Sequence, residues 1–221
     1  MVKGRLISLL AIMAALMAMP AAADGLELAA RYETGLFDVD GGVMEIVDYA
    51  PVQKKAYSVN GKTGMLAIIS YDGTDKLKAE DYDVRGAVEK ADPSFSYGDM
   101  TSVAVSPDSS RLAVALQAKA YDERGRAAVF AINDDGSLSL RVIAVTGVQP
   151  DMIVFADNNT ILTADEGEPR MGYQAEDPKG SATVVDLSVP SSMIITFDRF
   201  NWNRSDLVDD GIIIRKGSMP S

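Results

Sequence analysis

The chain has 221 residues, a formal net charge of −11, 47% hydrophobic residues, and neither cysteine nor histidine. Without those two residue types there is no disulfide framework, thiolate nucleophile, Cys/His zinc site or Ser-His-Asp triad, so any chemistry rests on carboxylates, hydroxyls, amides and a few cations. An acidic surface repels phosphate backbones and anionic headgroups, which argues against nucleic-acid and membrane-surface partners and suits solubility or divalent cations.

Lys3 and Arg5 precede an apolar run from Leu6 to Met19, and Ala21, Ala22 and Ala23 place small side chains ahead of Asp24. This is the pattern of a secretory signal peptide over residues 1–23, and it predicts an exported chain, periplasmic, extracellular or on the cell surface, that begins at Asp24. A membrane anchor would need roughly 20 apolar residues, whereas this run is shorter and Pro20 interrupts its end. Removing the segment takes away two positive charges and no negative one, so the net charge moves from −11 to −13.

Beyond Asp24 one frame recurs. Met100 to Pro107 followed by Arg111 to Leu116 is matched by Met44 to Pro51 followed by Lys55, with Pro51 standing where Pro107 does. Met152 to Phe155 leads through Asp157-Asn158-Asn159 into Ile161 to Ala164 in the same way, with a slightly shorter turn. Units of about 50 residues are propeller-blade length, longer than most solenoid repeats. They fall near residues 43–90, 99–146 and 151–198.

Each unit reads as short strands separated by turn residues. The first has Ala56 to Asn60, Met65 to Ile69, a turn at Asp72-Gly73, and Leu77 to Val84. The second has Thr101 to Val105, Arg111 to Gln117, Arg126 to Ile132 and Ser137 to Val145, turning at Pro107-Asp108-Ser109 and Asp134-Asp135-Gly136. In the third, Thr160 to Ala164 is followed by a long loop, then Ala182 to Leu187 and Met193 to Phe197. Four strands per unit and weak helical periodicity predict an all-β chain, a β-propeller with three blades present and the start of another. A sandwich would also give short alternating strands, but would not require one strand-turn-strand pattern three times.

Arg31 to Asp38, Glu45-Ile46-Val47, Pro150-Asp151-Met152 and Asp165-Glu166-Gly167-Glu168-Pro169-Arg170 together resemble the choice-of-anchor I domain. The resemblance runs from about Leu26 to the end of the chain. Its departures are Asp165, where Asn is commoner, and the charged pair Lys54-Lys55. It implies a bacterial secreted or surface propeller, from a family in which some members are labelled alkaline-phosphatase-like or phytase-like. Those domains are longer than this chain, and three blades cannot close a ring, so the resemblance implies an N-terminal fragment of a propeller. The run Gly211 to Ser218 reads as the beginning of a further strand and loop.

Strand order places Asp99 and Asp151, each just before the Met that opens an inner strand, at one end of the ring, together with the loop from Glu166 to Gly180. Asp151, Asp165, Glu166 and Glu168 are therefore the candidate metal ligands, with Glu176 and Asp177 further along the loop. Oxygen ligands at flexible spacing suit Ca²⁺ or Mg²⁺, and a bound cation would relieve repulsion among the carboxylates. Solvated loop acids, or turn acids accepting backbone hydrogen bonds, account for the same residues without a metal. Asp38-Val39-Asp40-Gly41 has only the opening of a calcium loop, and Arg170 serves as a phosphate contact or an ion-pair partner of Glu166 or Glu168. Met44, Met100, Met152 and Trp202 read as packing residues, Trp202 alternatively as a platform for a ring-shaped ligand.

Two functions fit. One is a ligand- or partner-binding module working through the end of the propeller, without catalysis. The other is a divalent-cation-dependent phosphoesterase, in which clustered carboxylates hold metals that polarise a phosphoryl group.

Overall fold

In the computed structural model of the chain, the described residues are 27–213 apart from 38, 40–42, 62, 75 and 170–176. The signal-peptide segment, most of the Asp38 to Gly41 run, Arg170 and Glu176 lie outside them. The described residues form three four-stranded antiparallel sheets, an incomplete β-propeller as the repeat predicts. The first sheet holds β1 (Val47–Ala50), β2 (Lys55–Asn60), β3 (Met65–Tyr71) and β4 (Leu77–Asp83), and the second β5 (Tyr97–Val105), β6 (Arg111–Ala118), β7 (Arg124–Ile132) and β8 (Leu138–Val148). The third holds β9 (Pro150–Phe155), β10 (Thr160–Asp165), β11 (Ser181–Asp186) and β12 (Ser191–Thr196). In each sheet the strands lie in sequence order, so β1, β5 and β9 form the inner row.

The middle sheet shows why the sequence stacks. Along β6, Leu112, Val114 and Leu116 point to one side and Ala113 and Ala115 to the other, all fully buried. The large side chains join Tyr57, Val59, Leu66 and Ile68 of the first sheet in one core. The alanines, with Ala104, Ala127, Val129 and Ala144, meet Ile153, Ile161 and Val185 of the third sheet in another. A strand apolar on both faces belongs to a sheet covered on both sides. Polar contacts reinforce the stack: the Tyr57 hydroxyl donates to the Gly136 carbonyl at 2.9 Å, and Thr101 Oγ1 to the Pro150 carbonyl at 2.8 Å.

The hairpin turns at one end of the stack share a single device. Asp72, Asp108, Asp135, Asp157 and Asp186 each accept a hydrogen bond from the amide two residues on, at 2.7–3.1 Å. These are Asx turns, in which the carboxylate replaces a backbone acceptor. Bonding to nearby amides and hydroxyls holds the Asp108, Asp135, Asp157 and Asp186 carboxyls below the usual Asp range.

Among the described residues, helical structure appears in two places where the strand pattern gave no warning. α1 (Val84–Ala91) links the first two sheets, buries Val84 and Val88, and is capped by Asp83, whose Oδ1 accepts from the Gly86 amide at 2.7 Å. A 3-10 helix (Asp198–Asn203) and α2 (Arg204–Asp209) follow β12. No helix among the described residues is long and apolar enough to cross a membrane.

Candidate functional site

The end of the stack opposite the Asx turns is where β8 hands over to β9 and where the loop after β10 begins. Gln149, buried and with φ of 55°, makes the corner between the two strands. Its carbonyl accepts from the Glu166 amide at 2.9 Å, the Val148 carbonyl accepts from the Gly167 amide at 3.2 Å, and its side-chain Oε1 accepts from the Glu168 amide. Gly167 is required here: at φ of 54° a Cβ would lie 2.5 Å from the Lys179 carbonyl carbon. The start of the Glu-Gly-Glu run is thereby pinned to the corner between the second and third sheets.

Asp165 is turned inward, away from that rim. Its carboxylate is 3% exposed and accepts from the Thr163, Ser181 and Thr183 hydroxyls, each at 2.7 Å, and from the Gly147 amide at 3.1 Å. A Cβ on Gly147 would fall 2.0 Å from Ser181 Oγ and 2.5 Å from the Asp165 carboxylate, so only glycine admits this approach. Four donors leave the carboxylate occupied by its own fold, joining β8, β10 and β11.

Asp151, Glu166 and Glu168 are exposed around the same corner. Although Glu166 is largely exposed, partial desolvation against the corner raises its carboxyl above the ordinary range, and the charges of Asp151 and Glu168 raise it further. Among the described residues, however, no three acidic side chains converge closely enough to hold a metal ion. Asp99 is at the corresponding end of β5, where its Oδ1 accepts from the Met100 amide at 2.7 Å and abuts Gly61 of the first sheet.

The remaining singled-out residues divide. Met100 is 2% exposed and packs as expected, but Met152 is half-exposed. Trp202 is 84% exposed in the 3-10 helix, so the expectation that it packs is not met there. Val103, Val105, Val154 and Phe155 lie on inner strands and, with Asp48 and Met152, line a hollow of about 350 Å³ along the inner row. Asp48 was not anticipated: its Oδ2 accepts from the Val105 amide at 2.7 Å, tying β1 to β5. Its only sequence signal is a lone acid inside a strand.

No curated protein matches the chain. Among solved structures it is similar to a 6-phosphogluconolactonase candidate from Bacteroides uniformis, at 16% identity and a TM-score of 0.48, over 71% of this chain and 39% of that one. It is similar also to a second such candidate from Bacteroides fragilis, at 18% identity and 0.45, over 74% and 40%. A third is the hydrazine synthase of Kuenenia stuttgartiensis, at 14% identity and 0.47, over 69% and 42%. The chain spans less than half the length of each. The sequence pattern of the choice-of-anchor I domain matches residues 45–220, taking in all three sheets and the acidic corner, and the chain belongs to that family.

Proposed function

We propose that the protein is an exported or cell-surface propeller module that binds a cationic ligand, or a cationic group of a partner, at the acidic corner between its second and third blades. The observation that carries this reading is geometric: exposed Asp151, Glu166 and Glu168 share one corner, on backbone that Gln149 holds through the Glu166 and Glu168 amides. A site in which negative charge is crowded on a fixed backbone gains from a bound positive group. Because the carboxylates do not converge, a hydrated Ca²⁺ or Mg²⁺, or an ammonium or guanidinium group, fits better than an ion fully caged by protein. Asp165 supports the corner from behind, its donors already supplied.

The phosphoesterase reading has less support. Such chemistry needs metals held by several carboxylates, and Asp165, the most enclosed of the acids, is committed to Thr163, Ser181, Thr183 and Gly147. The test is thermal melting of the full chain in Ca²⁺, in Mg²⁺ and in chelator, with Glu166→Gln and Glu168→Gln alongside. An ion present at a hundred times its dissociation constant stabilises the native state by about 2.7 kcal/mol. A rise in melting temperature that both substitutions diminish supports ion binding. A parent protein that melts identically in all three conditions rules out the divalent ion as ligand.

A further inference from the structure

A cleft of about 390 Å³ opens between the second and third sheets at the end that carries the Asx turns. Arg111 and Arg141 line it from the second sheet together with Val129, Ala131 and Val142, and Leu187 lines it from the third. Arg111 opens β6 opposite Ala131 of β7, and Arg141 is on β8, so only β7 separates them. Two strand spacings make roughly 9.5 Å, a gap that two guanidiniums can close around one anion. Arg111 is held in place, its Nη1 donating to the Asn158 carbonyl at 2.7 Å, which leaves further N–H groups for a ligand.

Arg141 reaches the cleft through a β-bulge. Val129 pairs with Val142 but Phe130 pairs with Leu140, so Arg141 is the extra residue of the ladder. Leu140 and Ile143 pack on the first core and Val142 on the second. An unbroken ladder would set Arg141 opposite Phe130, which is buried in the first core. The bulge turns it instead toward the third sheet, beside Val142. Among the described residues neither Arg111 nor Arg141 stands in an ion pair. The Asp108 carboxylate is engaged by Ser106 and Ser110. Val185 and Leu187 face the second sheet, so Asp186 between them points the other way.

We propose that this cleft binds a small organic anion, its carboxylate or phosphate group between Arg111 and Arg141 and its apolar body against Val129, Val142 and Leu187. Guanidinium groups match the paired oxygens of either head group. The volume falls within the range of roughly 300–1,000 Å³ usual for small-molecule sites, and an apolar lining with a few placed polar groups is their usual composition. The site is independent of the acidic corner, which lies at the other end of the same pair of sheets and takes the opposite charge.

Isothermal titration calorimetry on the full chain, with phenyl phosphate, benzoate and inorganic phosphate as probes, tests this. Phenyl phosphate or benzoate should bind saturably and more tightly than inorganic phosphate, and the better of the two identifies the head group. Added sodium chloride should weaken the binding. Arg141→Gln should weaken it at least tenfold with an unchanged circular dichroism spectrum, since Arg141 is exposed and outside any ion pair. Arg85→Gln, in an exposed pair with Glu89 on α1, should bind like the parent. Absence of binding by both aromatic anions overturns the proposal, as does an Arg141→Gln protein that binds them like the parent. Equal losses in Arg141→Gln and Arg85→Gln would overturn it too, by showing attraction to charge anywhere on the surface. Inorganic phosphate binding as tightly as phenyl phosphate would remove the apolar wall from the site.

Discussion

Gly147 donates its backbone amide both to the Asp165 carboxylate and to Thr183 Oγ1, each over 3.1 Å, so that β8 of the second sheet is held by β10 and β11 of the third. Asp165→Ala removes the acceptor shared by three hydroxyls and this amide, leaving buried donors unsatisfied. The expected loss is about 2–4 kcal/mol. Gly147→Ala should be comparably damaging, since its Cβ has no room. Denaturant unfolding followed by circular dichroism measures both. An Asp165→Ala protein of parental stability would mean that the carboxylate is not the clasp described.

Glu166→Gln should behave in the opposite sense. A carboxyl whose folded pKa is raised favours the protonated native state, so its contribution to stability is present at low pH and is lost as pH rises through the folded value. Replacing it by neutral glutamine should therefore raise the melting temperature at pH 7 in the absence of added cation. The gain should vanish below the ordinary carboxyl range of about 4. A melting curve that falls at pH 7 on substitution would show that Glu166 already has a favourable partner.

The turn acids at the other end carry the reverse dependence. The Asp108, Asp135, Asp157 and Asp186 carboxyls are held low by hydrogen bonds, so their contribution is present at neutral pH and lost as pH falls through the lowered values. Acid titration should weaken the hairpin turns progressively, the loss being complete only below the ordinary Asp range. Asp108→Ala is the informative single change, because its Oδ1 accepts from Ser106 Oγ, the Ser110 amide and Ser110 Oγ at 2.7–3.0 Å. It should cost about 1 kcal/mol in denaturant unfolding.

Arg126 fastens the segment between α1 and β5 to the second sheet. Its Nε lies 2.8 Å from Asp92 Oδ2 and its guanidinium 4.9 Å from the centre of the Phe95 ring. Both charged side chains are mostly buried, so this pair is worth more than a surface bridge. Arg126→Ala should destabilise by about 1–3 kcal/mol, combining the lost charge-assisted bond with the lost ring contact. Arg126→Lys should recover only part of it, because lysine offers no planar face to the ring. Double-mutant analysis with Asp92→Ala separates the two contributions.

The repeat made the sheets legible: Lys55 and Arg111, aligned by the positions of Pro51 and Pro107, both open second strands, and Asp72, Asp108, Asp135 and Asp157 fall in the turns where the punctuation put them, whereas Asp186 turns the chain inside what reads as a strand from Ala182 to Leu187. The helix at Val84–Ala91 escaped notice because only Val84 and Val88 mark its buried side and Gly86 weakens its propensity. Asp165 reads as part of an acidic loop because the adjacent letters are acidic. Its donors come from β8, β11 and its own strand, a proximity that depends on how sheets stack and has no signature at short range. For Asp151, Glu166 and Glu168, strand order was enough to bring them to one corner. It could not say whether their side chains meet.

The two cores are separate and the middle sheet belongs to both. Among the described residues the three sheets are coupled in a row, each outer one to a single neighbour and the central one to two. Within this row, losing either outer sheet breaks one coupling, while opening the central one breaks both. Amide hydrogen exchange should accordingly be slowest in β6 and β7, around Val114 and Ala128, and faster in β12, even though both regions are paired strands.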